Sequence, residues 1–441
     1  MLRPRVMSKF LSNQPYKGTR DFFPPQMRQF QAVMRQLATI VERFGFEPYD
    51  GPLLESFELY AAKTGQEIVE NQLYWLEDRS KRKLAIRPEM TPTLARMVSQ
   101  QVMELPKPIR WYSIPNLWRY ERPQRGRLRE HWQLNCDILG GDPQFADQEI
   151  LRLSHALIQS FGGERHLEIR VNHREWIDEV FQNRMKLTAE QSIQVIKLVD
   201  AKAKLDEKKY IEALGAIGLQ TKTIDALEAF LEGGLDSLQS ESNAPGAAHL
   251  SKVIHALNDQ GLSSNIIYDP TIMRGMDYYT GLVFEIYDRS PENRRAMFGG
   301  GRYDHLLGLF GKNRLSGIGF GMGDVTIQDF LQTHSLLPDS TRNLDVYFTL
   351  LEGTYFPKLM EWATFFRALG LSCITALEPG KLAHQLKVAA KHQARHVVIL
   401  GSSEWDTQTV SIKALKTGTQ SEVKWANLKR WAEEQAQSKQ N

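Results

Sequence analysis

Apolar residues recur at helical spacing from Arg28 to Phe44 (Phe30, Val33, Met34, Leu37, Ile40, Val41), and the run stops at Gly45 before Glu47-Pro48-Tyr49-Asp50-Gly51-Pro52. This predicts a helix followed by extended chain. Lys83 to Ile86 and Ile109 to Ile114 read as strands, with a helix from Thr91 to Leu105 between them. Strand and helix mix without regular alternation, which predicts an α+β fold on an antiparallel sheet rather than a doubly wound one. From Ile177 to Gln260 the chain turns charged and Ala/Leu/Lys-rich, with Gly233-Gly234 and Pro245-Gly246 as punctuation. A helical insertion over 177–260 is expected there. Strands resume at Ile266–Tyr268, Leu282–Tyr287 and Ile318–Phe320, separated by Gly-rich turns.

Beyond a linker at 333–343 the pattern alternates: strand (Val346–Leu350), helix (Pro357–Leu369), strand (Ser372–Leu377), helix (Lys381–Lys391), strand (His396–Leu400) and a closing helix (Val423–Ala436). A small α/β domain with a largely parallel sheet is expected over 344–441, after a larger domain over 1–332. The total of 441 residues suits two or three domains. The longest apolar runs, such as Val397 to Leu400, are strand-length and too short to cross a bilayer. Met1 to Asn13 lacks the apolar stretch of a secretory signal and is expected to be a short disordered arm. The two cysteines, Cys136 and Cys373, are too far apart for a zinc or disulfide framework, which fits a reducing cytoplasm. The net charge of +3 equals the excess of 12 Lys+Arg over 9 Asp+Glu in the stretch from Leu344 onward. That distribution hints at a C-terminal module facing a polyanion, and a solvated charged surface accounts for it equally well.

Between Leu117 and Gln133 lie five arginines, Arg119, Arg122, Arg125, Arg127 and Arg129. Each guanidinium is permanently charged and presents a planar fork of donors, which suits a triphosphate or a phosphate backbone. Arg127 and Arg129 would share one face of an extended chain. Such a loop alone is also compatible with a solvated surface. What distinguishes it is the core-like strand Gln133-Leu134-Asn135-Cys136-Asp137-Ile138-Leu139 downstream, whose polar groups need partners. In a second window, Met273 to Glu285, Arg274, Tyr278 and Tyr279 either line a pocket or are packing aromatics with Arg274 paired to Asp277. A third, Phe298-Gly299-Gly300-Gly301-Arg302-Tyr303-Asp304, reads as a tight turn or as backbone approaching a ligand. It matches neither the P-loop nor the dinucleotide fingerprint.

These stretches carry a resemblance. The arginine-rich loop resembles the second signature motif of class II aminoacyl-tRNA synthetases, and Glu121-Arg122-Pro123-Gln124-Arg125-Gly126-Arg127 is similar to the histidyl members in particular. Arg274 to Glu285 and Gly299 to Asp304 resemble that family's two histidine-specific motifs. Lys17-Gly18-Thr19-Arg20-Asp21 and Leu84 to Arg96, with Arg87-Pro88-Glu89-Met90-Thr91, are similar to it as well. Phe44 to Leu54 resembles the first class II motif, a dimer-interface element, and the last hundred residues resemble the anticodon-binding domain. Almost the whole chain is covered.

The resemblance implies an antiparallel-sheet class II catalytic domain with a helical insertion, an α/β anticodon-binding domain, and a homodimer. It implies a ligase that activates L-histidine with ATP, assisted by Mg²⁺, and passes it to tRNA(His). Arg274, Arg119 and Gln133 would be the catalytic residues, and Arg119, Glu121, Arg127 and Arg274 would bind ATP. Glu89, Thr91 and Gln133 would hold the α-amino and carboxylate ends of histidine, Arg274 would lie near its carboxylate, and Met90 and Arg119 would be further substrate-binding residues. Asp137 and Tyr279 would grip the two imidazole nitrogens, with Tyr278 beside them. Reading both edges of the ring would reject an apolar amino acid on the order of 10⁴-fold, because buried polar groups would be left empty. No Mg²⁺ ligands are indicated.

One motif departs from the family. The glycine run Gly317-Ile318-Gly319-Phe320-Gly321-Met322-Gly323 is followed by Asp324-Val325, without the arginine of the third class II motif. That absence puts the γ-phosphate contact in doubt, and Arg302 is a possible substitute. It also favours a rival reading, the histidine-binding regulatory subunit of ATP phosphoribosyltransferase, which does not charge tRNA. The intact Arg274–Tyr279 stretch and the anticodon-like domain count against that rival. A tRNA-binding module without catalysis would need the basic C-terminal domain but not the polar pocket.

Overall fold

The computed structural model describes residues 11–61, 71–202, 205–273, 278–293, 295–305, 308, 310–311, 315–341 and 344–440. The chain divides into two compact units, Met1–Asp339 and Ser340–Asn441. Among the described residues no helix is long and apolar enough to cross a membrane.

The strands of the first unit are β1 (Glu47–Pro48), β2 (Leu54–Ser56), β3 (Trp75–Glu77), β4 (Lys83–Ile86), β5 (Ile109–Ser113), β6 (Asn116–Trp118), β7 (Glu130–Leu139), β8 (Leu167–His173), β9 (Ile266–Tyr268), β10 (Leu282–Asp288), β11 (Ala296–Tyr303) and β12 (Gly317–Gly323). One large sheet runs β1-β5-β7-β12-β11-β10-β8-β9, with β6 also on β7, and β2-β4-β3 form a small second sheet. All pairs are antiparallel except β1 with β5 and β8 with β9. The α+β class expected from the sequence is the class observed.

The helices are α1 (Pro24–Arg43), α2 (Phe57–Ala61), α3 (Thr91–Gln101), α4 (Pro143–Gln159), α5 (Arg174–Asp178), α6 (Ala189–Ala201), α7 (Glu207–Ala216), α8 (Thr221–Leu231), α9 (Leu235–Gln239), α10 (Pro245–Leu257) and α11 (Asp324–Thr333). Helix α1 buries Phe30, Val33, Met34, Leu37 and Val41, the stripe read from the sequence except Ile40, which is only half-buried. It starts earlier than the expected Arg28 because proline fits the first turn, where no N–H is required. Helix α4 starts at Pro143, capped by the Asp142 carboxylate, which accepts from Gln144 N at 2.9 Å. Helices α5 to α10 lie between β8 and β9 in sequence. One continuous core joins residues of α1, α4, α8 and α10 to one face of the large sheet. The opposite face is left for chemistry.

In the second unit β13 (Leu344–Phe348), α12 (Phe356–Ala368), β14 (Cys373–Thr375), α13 (Leu382–Lys391) and β15 (Ala394–Ile399) give a parallel sheet in the order β14-β13-β15. Then α14 (Ser402–Asp406), β16 (Thr409–Ala414), β17 (Gln420–Lys424) and α15 (Trp425–Gln440) follow, and β16 and β17 extend the sheet antiparallel. The sequence reading missed β16 and β17 and began the last helix two residues early. Strand β17 is polar and mostly exposed, and β16 alternates buried Val410 and Ile412 with polar residues, so no continuous apolar run marked either.

Candidate active site

Strand β7 alternates. Leu134, Cys136 and Ile138 enter the core, which directs Gln133, Asn135 and Asp137 to the other face. On neighbouring β12, Ile318, Phe320 and Met322 enter the same core, and Gly317, Gly319 and Gly321 share the polar face. Gly319 pairs with Asp137 and Gly321 with Asn135. A Cβ at Gly319 would lie 2.8 Å from Asp137 Cγ and 2.7 Å from the Cys136 carbonyl, and one at Gly321 would lie 2.8 Å from Gln133 Cδ. On β11 a Cβ at Gly301 would lie 2.9 Å from Tyr279 Cδ2. The glycines are bare so that polar side chains of neighbouring segments can lie flat across the sheet.

Over this floor is a cavity of about 180 Å³, lined by Glu89, Thr91, Arg119, Gln133, Asn135, Asp137, Tyr278, Tyr279, Tyr303, Phe320 and Gly299, Gly319 and Gly321. Glu89 and Thr91 arrive on the chain entering α3, and Arg119 is held by Nε donating to the Pro88 carbonyl at 2.9 Å. Tyr278 donates its hydroxyl to Glu89 Oε2 at 2.9 Å, and Tyr303 donates to Asp137 Oδ1 at 2.6 Å. Gln133 Nε2 donates to Asn135 Oδ1 at 2.7 Å. Burial pushes the Asp137 carboxyl up to about 7; the Tyr303 hydroxyl opposes this and the charge on Glu89 adds to it. Burial, then Glu89, raises the Tyr278 phenol, and burial, then Asp137, raises that of Tyr303. Burial, then Glu89, raises the Tyr279 phenol as well, so all three tyrosines are neutral. On the strand's polar face beside Gln133, burial and then the Arg119 guanidinium lower His131 to about 3, so it adds no charge.

Seven of the sequence-predicted residues thus line one cavity: Glu89, Thr91, Arg119, Gln133, Asp137, Tyr278 and Tyr279. Met90 does not, being 1% exposed with its side chain in the interior. Glu121 and Arg127 also lie off the cavity wall, joined by an ion pair of 2.9 Å. Arg274 lies outside the described residues. The arginine-rich loop is a turn rather than extended chain: Gln124 and Arg127 bridge across it and Gly126 has φ +75°. Arg127 and Arg129 therefore do not share a strand face. Arg129 instead stacks over Tyr120 at 4.0 Å, and Arg125 pairs with Asp329 of α11 at 3.0 Å.

Residues 18–324 match the family model described as histidyl-tRNA synthetase, and residues 345–435 match that of an anticodon binding domain. A histidine–tRNA ligase of Leptospira biflexa is 41% identical over 417 residues, covering 93% of this chain and 95% of that protein. The chain belongs to the histidyl-tRNA synthetase family. The histidyl-tRNA synthetase of Nostoc sp. PCC 7120 has the same fold, with a TM-score of 0.79 at 24% identity, covering 96% of this chain and all of that one. A structure from Bacillus halodurans described as an ATP phosphoribosyltransferase regulatory subunit/histidyl-tRNA synthetase also superposes, at a TM-score of 0.72, 21% identity and coverage of 88% of this chain and 98% of that one. The fold alone therefore does not separate the synthetase from its regulatory relative. Sequence identity over nearly the full length favours the synthetase.

Within this family member two features were not foreseen. Tyr303 was visible only as part of the glycine window, yet it is the hydroxyl bonded to Asp137. Arg302, the expected substitute for the missing third-motif arginine, points to the opposite face of β11 from Gly301 and Tyr303. It is 5% exposed, its Nε donates to Asp147 at 3.0 Å and its Nη2 to the Pro143 carbonyl at 3.0 Å. It is a structural cation. Where the third motif would have its arginine, Asp324 begins α11 fully buried, accepting from Trp132 N at 2.9 Å and pairing with Arg20 at 2.6 Å.

Proposed function

We propose that this chain is a histidine–tRNA ligase that forms histidyl-adenylate from L-histidine and ATP and transfers histidine to tRNA(His). The observation that carries the reading is the buried Asp137–Tyr303 pair on a glycine floor, within one cavity with Glu89 and Arg119. A carboxylate and neutral phenols suit a ring with two nitrogens, one donating and one accepting. Asp137 and Tyr279 take the imidazole, Glu89 the ammonium, and Gln133 with Thr91 the carboxylate end. The substrate carboxylate oxygen attacks the ATP α-phosphorus, a new P–O bond forms and pyrophosphate leaves. Arg119 uses only Nε on Pro88 among the described residues, which leaves the rest of its fork for charge growing on the α-phosphoryl group. Arg127 and Arg274 serve the phosphates beside it. The terminal ribose hydroxyl of tRNA then attacks the acyl carbon, and AMP leaves.

Among the described residues no group of three or more His, Cys, Asp or Glu is gathered to hold a metal. Mg²⁺ would be held by one or two carboxylates and would take its other oxygens from nucleotide and water. Leu53 and Leu54, at the end of the segment resembling the first class II motif, and Trp75 and Leu76 of β3 are exposed large apolar side chains, which supports a homodimer. The C-terminal unit would read the anticodon, and the working location would be the cytoplasm.

The test is histidine-dependent exchange of pyrophosphate into ATP, followed by charging of total tRNA in the same preparation. Exchange with charging is expected. Histidine binding with neither activity would overturn the reading in favour of the regulatory subunit, the alternative supported by Asp324-Val325 in place of the third-motif arginine.

A further inference from the structure

We propose that His249 and Asp147 are positioning residues for the histidine pocket, through which helix α10 of the insertion fixes Arg302 and thereby the backbone that delivers Tyr303 and Tyr279. The inference rests on the pocket assignment above. Asp147, on α4, has no exposed surface and divides its carboxylate between two cations or donors: Oδ1 takes Arg302 Nε at 3.0 Å, and Oδ2 takes His249 Nε2 at 2.7 Å. Arg302 Nη1 reaches Ser316 Oγ at the foot of β12, so one side chain spans α4, β11 and β12.

The main chain of Arg302 completes the path. Its carbonyl accepts from Thr280 N at 2.8 Å, directly after Tyr279, and Thr280 Oγ1 donates to Asp304 Oδ2 at 2.7 Å. Gly281 is bare because a Cβ there would lie 2.8 Å from Arg302 Cδ. Successive residues of a strand point to opposite faces, so holding Arg302 on the helix side sets the direction of Tyr303 on the pocket side, where it bonds Asp137. Helix α10 packs closely at its start: a Cβ at Gly246 would lie 2.6 Å from Trp176 N and 2.8 Å from His173 Nδ1. His249 is 22% exposed in its side chain and sits at the rim of the network, so trimming it removes the bond to Asp147 and a ring contact with His173 at 5.3 Å.

The experiment compares His249→Ala and His249→Gln with the unaltered chain, measuring histidine affinity by calorimetry, KM for ATP in pyrophosphate exchange, and melting temperature. A glutamine amide can reach where an imidazole Nε2 does. The expected result is histidine affinity weakened about 5- to 20-fold in His249→Ala, the size of one lost hydrogen bond, with KM for ATP within twofold, and recovery in His249→Gln. Unchanged histidine affinity in a folded His249→Ala chain would overturn the proposal. So would equal losses for histidine and ATP together with a broadened melt, the mark of a purely structural role. If the unaltered chain binds no histidine, the pocket assignment itself fails; if it binds and His249→Ala does too, only this inference fails.

Discussion

The glycine floor makes a quantitative prediction at Gly319. Alanine there would put a methyl 2.8 Å from Asp137 Cγ and 2.7 Å from the main-chain carbonyl of Cys136. The carbonyl belongs to a strand paired on both sides, with β5 and β12, and cannot retreat without opening a ladder. The carboxylate is the part that gives, and its bond to Tyr303 goes with it. Overpacking of this kind costs about 1–3 kcal/mol of stability. Loss of a hydrogen bond involving a charged group costs about 1.5–3 kcal/mol, which is about 10- to 150-fold in histidine affinity at ~1.4 kcal/mol per decade. The assay is calorimetric titration of Gly319→Ala with histidine and with histidinol, which keeps the imidazole and lacks the carboxylate. Both ligands should weaken alike, because the ring end is disturbed. Gly321→Ala serves as the contrast, since its methyl meets the flexible end of Gln133, and there histidine should suffer more than histidinol. A folded Gly319→Ala chain that binds histidine within twofold of the original would refute the reasoning.

Two further outcomes follow from the same geometry. Asp137 sits near 7, so its charge is present above that pH and lost as pH falls through it; KM for histidine should rise on the acid side, and Asp137→Asn should raise KM overall and flatten that limb. A limb of the same slope in the variant would assign it to the substrate's own imidazole, near 6.5 when free. Replacing Arg302 by leucine would strip the fully buried Asp147 of its guanidinium partner and leave it the His249 bond alone, costing about 3–5 kcal/mol in denaturant unfolding, and a variant of unchanged stability would show that the pair does not anchor β11.

How much of this was legible in the sequence depended on whether a residue's neighbours along the chain resemble its neighbours in space. Helix α1 and the polar–apolar alternation of β7 were readable because their periodicity is local. The triple glycine was legible only in part: read as a tight turn or as backbone approaching a ligand, Gly299-Gly300-Gly301 lies in the middle of β11, with Gly299 on the cavity wall. Ordinarily glycine weakens a strand, and only the approach of Tyr279 and of the β12 backbone, both distant in sequence, explains it here. Arg302 failed for a related reason. Its charge and proximity in sequence to the pocket suggested a phosphate ligand, whereas strand alternation and the distant Asp147 turn it inward. Glu89 and Asp137, by contrast, were placed by the resemblance and lie in one cavity, though nothing local in either segment relates them.

A pocket made by leaving atoms out can be altered in one direction only at those positions. Any substitution at Gly299, Gly319 or Gly321 adds volume, and no residue smaller than glycine exists to deepen the floor. Extra room directly over the floor must therefore come from shortening the side chains that rest on it, Gln133 and Asp137, the same groups proposed to recognise the ligand. Size and chemical selectivity are thereby locked to one another there, and a single change that widens the cavity over the floor also discards the means of telling which molecule has entered.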